Sequence, residues 1–141
     1  MKNSPLRLEK SFFTRVLIQA ERDGNPEAKW EVEAIPEVAK QGEDKRKWAV
    51  VLKVKIKPLS DLKPPYQVEV EAAGSFSVEE PWPEANIEQL VHVNGPAVLY
   101  SAIREMICGV TCRGPWAMLF LPTVSFVDSY KAATPQVPAK K

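Results

Sequence analysis

The chain has 141 residues, 45% of them hydrophobic, and carries 19 Lys and Arg against 18 Asp and Glu. That length suits one domain able to bury a core without disulfides or metal, and the balanced charge offers no net field for a phosphate backbone or an anionic lipid surface. Met1–Phe13 has no apolar signal core, and no apolar run approaches the roughly 18 residues of a membrane span. A cytoplasmic protein is expected, with no nucleic acid partner and no direct membrane insertion.

Strand signals fill the first half. Phe12, Val16, Ile18 and Ala20 share one phase, with Thr14 the polar exception, and Asp23-Gly24-Asn25-Pro26 then makes a turn. In the second strand Trp30, Val32 and Ala34 alternate with Glu31 and Glu33, the period of a half-buried strand. After a polar loop over 40–47, the third strand sets Trp48, Val50, Leu52, Val54 and Ile56 against Lys53, Lys55 and Lys57. The fourth sets Tyr66, Val68, Val70, Ala72, Phe76 and Val78 against Glu69 and Glu71. If these last two strands pair through the Pro58 to Pro65 connection, their lysines and glutamates meet on one solvent face. Each such exposed pair contributes about 0.2–1 kcal/mol, against roughly 1.5–3 for burying one Val or Leu, so the apolar faces decide the fold.

Pro81-Trp82-Pro83 breaks the chain, and Asn86, Ile87, Leu90 and Val91 suggest a short helical turn. A long helix is predicted over Pro96–Arg113, because Pro at its first position loses no hydrogen bond. Val98, Leu99, Ala102, Ile103, Met106, Ile107 and Val110 then form one wide apolar face. Gly114 and Pro115 end it, with glycine free to take the left-handed conformation. Next comes a segment with no helical or strand period, in which Trp116, Met118, Leu119, Phe120, Leu121, Val124 and Phe126 fall within eleven residues. Monomers rarely expose so contiguous an apolar run, so association or a bound partner is expected to cover it. The last residues, 131–141, are rich in Lys and Pro without apolar period and are expected to be a disordered basic tail.

Little in the chain suggests catalysis. Cys108 and Cys112, four apart on the predicted helix, read as two reduced core cysteines with no second pair to complete a metal site. His92 stands alone, with no carboxylate or Cys at metal-ligand spacing. There is no Gly-rich phosphate loop, nucleophile elbow, paired carboxylate or cofactor motif, so no enzyme, metal or cofactor is expected.

Leu99-Tyr100, Ile103-Arg104-Glu105, Arg113-Gly114 and the apolar stretch closing on Pro122 to Phe126 together resemble the C-terminal half of SecB-type export chaperones. Val68–Val78 is similar to that family's fourth strand. The resemblance implies an α+β fold, a four-stranded antiparallel sheet with a long helix and a shorter C-terminal helix packed on one face, in a single domain over 1–130.

The same resemblance implies a function. Members of the family are ATP-independent holdases that bind unfolded or precursor polypeptides in apolar grooves, as homotetramers built from two dimers. It implies a client groove at Trp30, Val32, Trp82, Leu119, Leu121, Phe126 and Tyr130, and an oligomer interface at Leu99, Ile103, Met106 and Val110. Glu69 falls where the family docks on its SecA motor, but Val16 and Ala20 stand where two further carboxylates belong. Those two positions argue against transfer of clients to SecA, whereas the resemblance as a whole implies protein export as the first expected role. A SecB-like chaperone serving a toxin-antitoxin system is a variant of it, and a structural or adaptor oligomer without client binding is the rival.

Overall fold

The computed structural model describes residues 2–133. Four strands form one antiparallel sheet in the order β1-β4-β3-β2: β1 Leu6–Ala20, β2 Trp30–Lys40, β3 Lys47–Pro58 and β4 Tyr66–Val78. Helix α1, Ile87–Thr111, and the short α2, Val127–Ala133, complete the fold. This is the expected α+β architecture. The expected tail starts inside α2 for its first three residues, and the rest of it lies outside the described residues.

The register follows from alternation. Lys53 stands opposite Glu71 and Lys55 opposite Glu69 across β3 and β4. Lys53 Nζ lies 3.8 Å from Glu71, and Lys55 Nζ lies 3.7 Å from Glu33 on β2. On the other side Val50, Leu52, Val54, Tyr66, Val68, Val70, Ala72, Phe76 and Val78 are buried and form the sheet's contribution to the core. Exposed ion pairs set register cheaply while burial supplies the free energy.

Strand β1 departs from its expected phase. The pairing with β4 slips between Phe13 and Arg15, so Phe13, opposite Ala72, shares a face with Val16 and Ile18, while Phe12 turns to the other side opposite Ala73. Thr14 is the extra residue of this bulge, and its hydroxyl donates to a Glu71 carboxylate oxygen at 2.8 Å. A bulge reverses the inside-outside alternation beyond it, which period-two reading carries straight through.

Since β1 and β2 occupy opposite edges, the chain between them crosses the end of the sheet. It is held to the β3–β4 connection by hydrogen bonds from Glu21 N–H to the Pro65 carbonyl (2.8 Å) and from Asn25 N–H to the Lys63 carbonyl (2.7 Å). Lys63 Nζ adds ion pairs to Glu21 at 3.1 Å and Asp23 at 3.3 Å. Hydrogen bonding to these two carboxylates raises the Lys63 pKa above its usual value. At Gly24 a Cβ would stand 2.7 Å from Pro65 Cα, so only glycine lets the two layers approach this closely.

Helix α1 begins at Ile87, not near Pro96, which lies buried inside it. Pro96 forfeits one backbone hydrogen bond. Against that, Ile87, Val91, Gly95, Leu99, Ile103, Ile107 and Thr111 make one unbroken buried stripe at four-residue spacing, and packing on the sheet carries the helix through the proline. The helix ends at Thr111, short of Arg113, whose guanidinium donates to the Gly109 carbonyl and closes the end with a cation. Gly114 is needed for room and not for a left-handed turn. Among the described glycines only Gly42 has positive φ, whereas a Cβ on Gly114 would fall 2.1 Å from the Tyr66 hydroxyl.

Candidate polypeptide-binding and assembly surfaces

After α1 the chain turns back along the helix as an extended strap over residues 115–126. Its contacts repeat at a fixed interval: the Tyr100 hydroxyl donates to the Pro122 carbonyl, Arg104 lies 5.1 Å over the Phe120 ring, and the Cys108 thiol meets Met118 Sδ at 3.1 Å. Four helical residues rise about 6 Å and two extended residues about 6.6 Å, so every fourth position of the helix meets every second position of the strap. The intervening strap residues turn inward. Leu121 is 1% exposed, and the half-buried Leu119 donates its N–H to Thr111 Oγ1 at 2.9 Å. Thr111, fully buried, donates in turn to the Ile107 carbonyl at 2.7 Å, which satisfies both capacities of its hydroxyl.

At the strap's start the Tyr66 hydroxyl accepts from Trp116 N–H at 3.3 Å and donates to the Thr111 carbonyl at 3.3 Å. The Trp116 indole donates to the Glu21 carbonyl at 3.0 Å. At its end Phe126 is buried edge-on to Tyr100 with centroids 6.2 Å apart. Tyr130 of α2 lies 5.3 Å from the His92 ring, which also meets Trp48 edge-on at 6.1 Å. Burial lowers the His92 pKa below its ordinary 6.5, with Glu88 opposing the shift. Tyr100 titrates higher than usual, again through burial, with Arg104 opposing.

These placements sort the sequence-predicted groove residues. Leu121 and Phe126 fill the protein's own core, and Trp30, Val32 and Leu119 pack partly buried against it. Trp82 also packs there, but it lines an open groove of about 440 Å³ with Leu90, Val93 and Val127 as apolar walls and Asn86, Gln89 and Asn94 as amide rim. Its indole N–H is buried without a hydrogen-bond partner among the described residues. Leu90, Val93 and the three amides were not picked out as groove residues from sequence. Their four-residue spacing runs from Asn86, which caps α1, into the part of the helix that the misplaced start concealed.

The wide apolar face expected on α1 divides in two. Leu99 and Ile103 point into the sheet, with 1% and 0% exposure. Met106 and Val110 line a second open groove of about 590 Å³ with Ala102, Gly109 and Phe13 of β1, and the exposed Val98 continues this face of the helix. Glu69, on the outer face of the sheet, is paired with Arg15 at 3.4 Å and stands opposite Lys55. The two cysteines are not core residues. Cys108 is half-buried and Cys112 exposed, since Leu99, Ile103 and Ile107 take the sheet-facing positions.

A sheet backed by one long helix, with an irregular apolar strap leading to a second short helix, defines an α+β protein whose apolar surface exceeds what its own core uses. The family model described as preprotein translocase subunit SecB matches residues 8–137, and the chain belongs to the SecB family. It is 28% identical over 83 residues to the protein-export protein SecB of Anaplasma marginale (strain Florida), a match covering 59% of this chain and 47% of that protein. The chain thus spans about half the length of that relative. To the protein-export protein SecB of Psychrobacter arcticus it is 27% identical over 137 residues, covering 96% of this chain and 92% of the relative. The fold is similar to that of a Mycobacterium tuberculosis SecB-like chaperone solved in complex with a ChAD peptide from an antitoxin. That likeness has a TM-score of 0.66 and 18% identity, and it covers 86% of this chain and 91% of the other. Among the described residues no helix is long and apolar enough to cross a membrane.

Proposed function

We propose that the protein is an ATP-independent holdase that binds unfolded polypeptides and assembles with copies of itself, in the service of protein export. The observation that carries this reading is the Trp82 groove. Its apolar walls take client side chains out of water, while the side-chain amides of Asn86, Gln89 and Asn94 can serve a client backbone whatever its sequence. Binding of this kind needs no catalytic group.

Self-association belongs on the α1–β1 seam, where Phe13, Val98, Met106 and Val110 form the larger apolar surface. A tetramer is the assembly that family membership favours. The outer face of the sheet alternates Lys with Glu and pairs Glu69 with Arg15, which supports holding clients more than handing them to SecA. A second reading, service to a toxin-antitoxin system, draws on the antitoxin peptide bound by the structurally similar mycobacterial chaperone.

Light scattering of a chemically denatured, aggregation-prone protein diluted with and without this chain tests the holdase, with its mass measured by size-exclusion chromatography and multi-angle scattering. Suppression that weakens in Trp82→Phe while assembly persists supports the groove. An oligomer that leaves aggregation unchanged would overturn client binding and leave the apolar surfaces to assembly alone.

A further inference from the structure

The row of contacts between α1 and the strap ends in sulfur. Cys108 Sγ touches Met118 Sδ at 3.1 Å, and one helical turn further Cys112, exposed, follows on the same side of α1. Two thiols and a thioether thus lie along the end of α1 and the start of the strap, the Cys112 thiol donating to the Gly109 carbonyl at 3.1 Å. We propose that Cys108, Cys112 and Met118 form a site for a soft monovalent cation of the copper(I) class.

Three physical points favour an ion over the alternatives. Residues four apart on a helix hold their Cβ atoms about 5–6 Å apart, whereas a disulfide needs about 3.5–4.5 Å, so direct oxidation of the pair would require unwinding the last turn. An ion between the sulfurs adds a metal–sulfur bond of about 2.3 Å on each side and spans that gap with the helix intact. Zinc would need a fourth hard or borderline ligand, and among the described residues no three His, Cys, Asp or Glu stand together. Thiolate and thioether donors select copper(I).

Binding releases two thiol protons to solvent and leaves a site of net charge −1. Arg113, with Nη1 3.5 Å from Cys112 Sγ, places a cation beside it. The ion would tie the start of the strap to the end of α1, one step beyond the Arg104–Phe120 contact.

The test is anaerobic competition for Cu(I) between the reduced full-length chain and the coloured chelator bathocuproine disulfonate. One equivalent of Cu(I) should leave the chelator. Cys108→Ser and Cys112→Ser should each weaken binding by at least about 100-fold and Met118→Leu by about 10-fold, with far-ultraviolet circular dichroism unchanged. Loading should also slow amide exchange at Met118 and Leu119, a readout independent of client binding. Failure to draw copper from the chelator overturns the site. So does an unchanged affinity in Met118→Leu, which would mean loose thiols and no built site.

Discussion

Helix α1 is held on two sides by different physics. Toward the sheet, Val91, Leu99, Ile103 and Ile107 are buried against the apolar faces of β3 and β4, in contact that is continuous and without direction. Toward the strap the contacts are discrete: a phenol on a carbonyl, a guanidinium over a ring, a thiol on a thioether. A continuous contact fails as a unit, whereas discrete ones can open singly. The sheet side therefore sets the fold, and the strap side sets how readily Leu119 and its neighbours come away from the helix.

Breaking the first side should be global. Ile103→Ala is expected to cost about 2–5 kcal/mol, read as a lower urea midpoint with an unchanged slope. Thr111→Val keeps the shape of the buried side chain but leaves the Leu119 N–H without its acceptor. A loss of about 1–3 kcal/mol should appear chiefly as faster hydrogen exchange across 116–121. A uniform rise in exchange over the whole sheet would show that the two sides are one cooperative unit. Arg104→Gln removes the cation from Phe120 and should cost about 0.5–1 kcal/mol, with only the exposed part of the strap responding.

The smallest effect concerns α2, whose Tyr130 rests on His92. Burial lowers the folded His92 pKa below 6.5, so the unfolded chain binds more protons as pH drops through that value. The stability that neutral His92 contributes is complete above 6.5 and declines as pH falls toward the folded pKa. The melting temperature should fall modestly between about pH 7.5 and 5.5, and His92→Gln should flatten that dependence. An equal slope in the variant would assign it to other groups.

Most of the sheet was legible in the sequence because its signals agree. The Lys and Glu stripes of β3 and β4 name each other as partners, and their apolar faces alternate without interruption. Strand β1 was less so, since a bulge at Thr14 moves Phe13 inward and Phe12 outward with no change in composition. Pro96 misplaced the helix start because a local rule about proline ignores the burial that Ile87, Val91 and Gly95 share. At the strap, Leu119 and Leu121 face inward while Met118 and Phe120 face outward. With apolar residues on both sides the alternation leaves no trace, so core and surface could not be told apart.

The passage of the β1–β2 connection over the end of the sheet has a consequence for how the chain comes together in time. The β2–β3 and β3–β4 hairpins close over short loops, but β1 can only pair with β4, and Arg7 and Glu79, which bridge the two strands, stand 72 residues apart. Local pairings close fast and distant ones slowly. On the ribosome β1 would emerge well before its partner and wait, with Leu8, Phe13 and Val16 unpaired, until β2, β3 and their connections had followed. During that interval the nascent chain would itself resemble the unfolded polypeptides that the finished protein is proposed to hold.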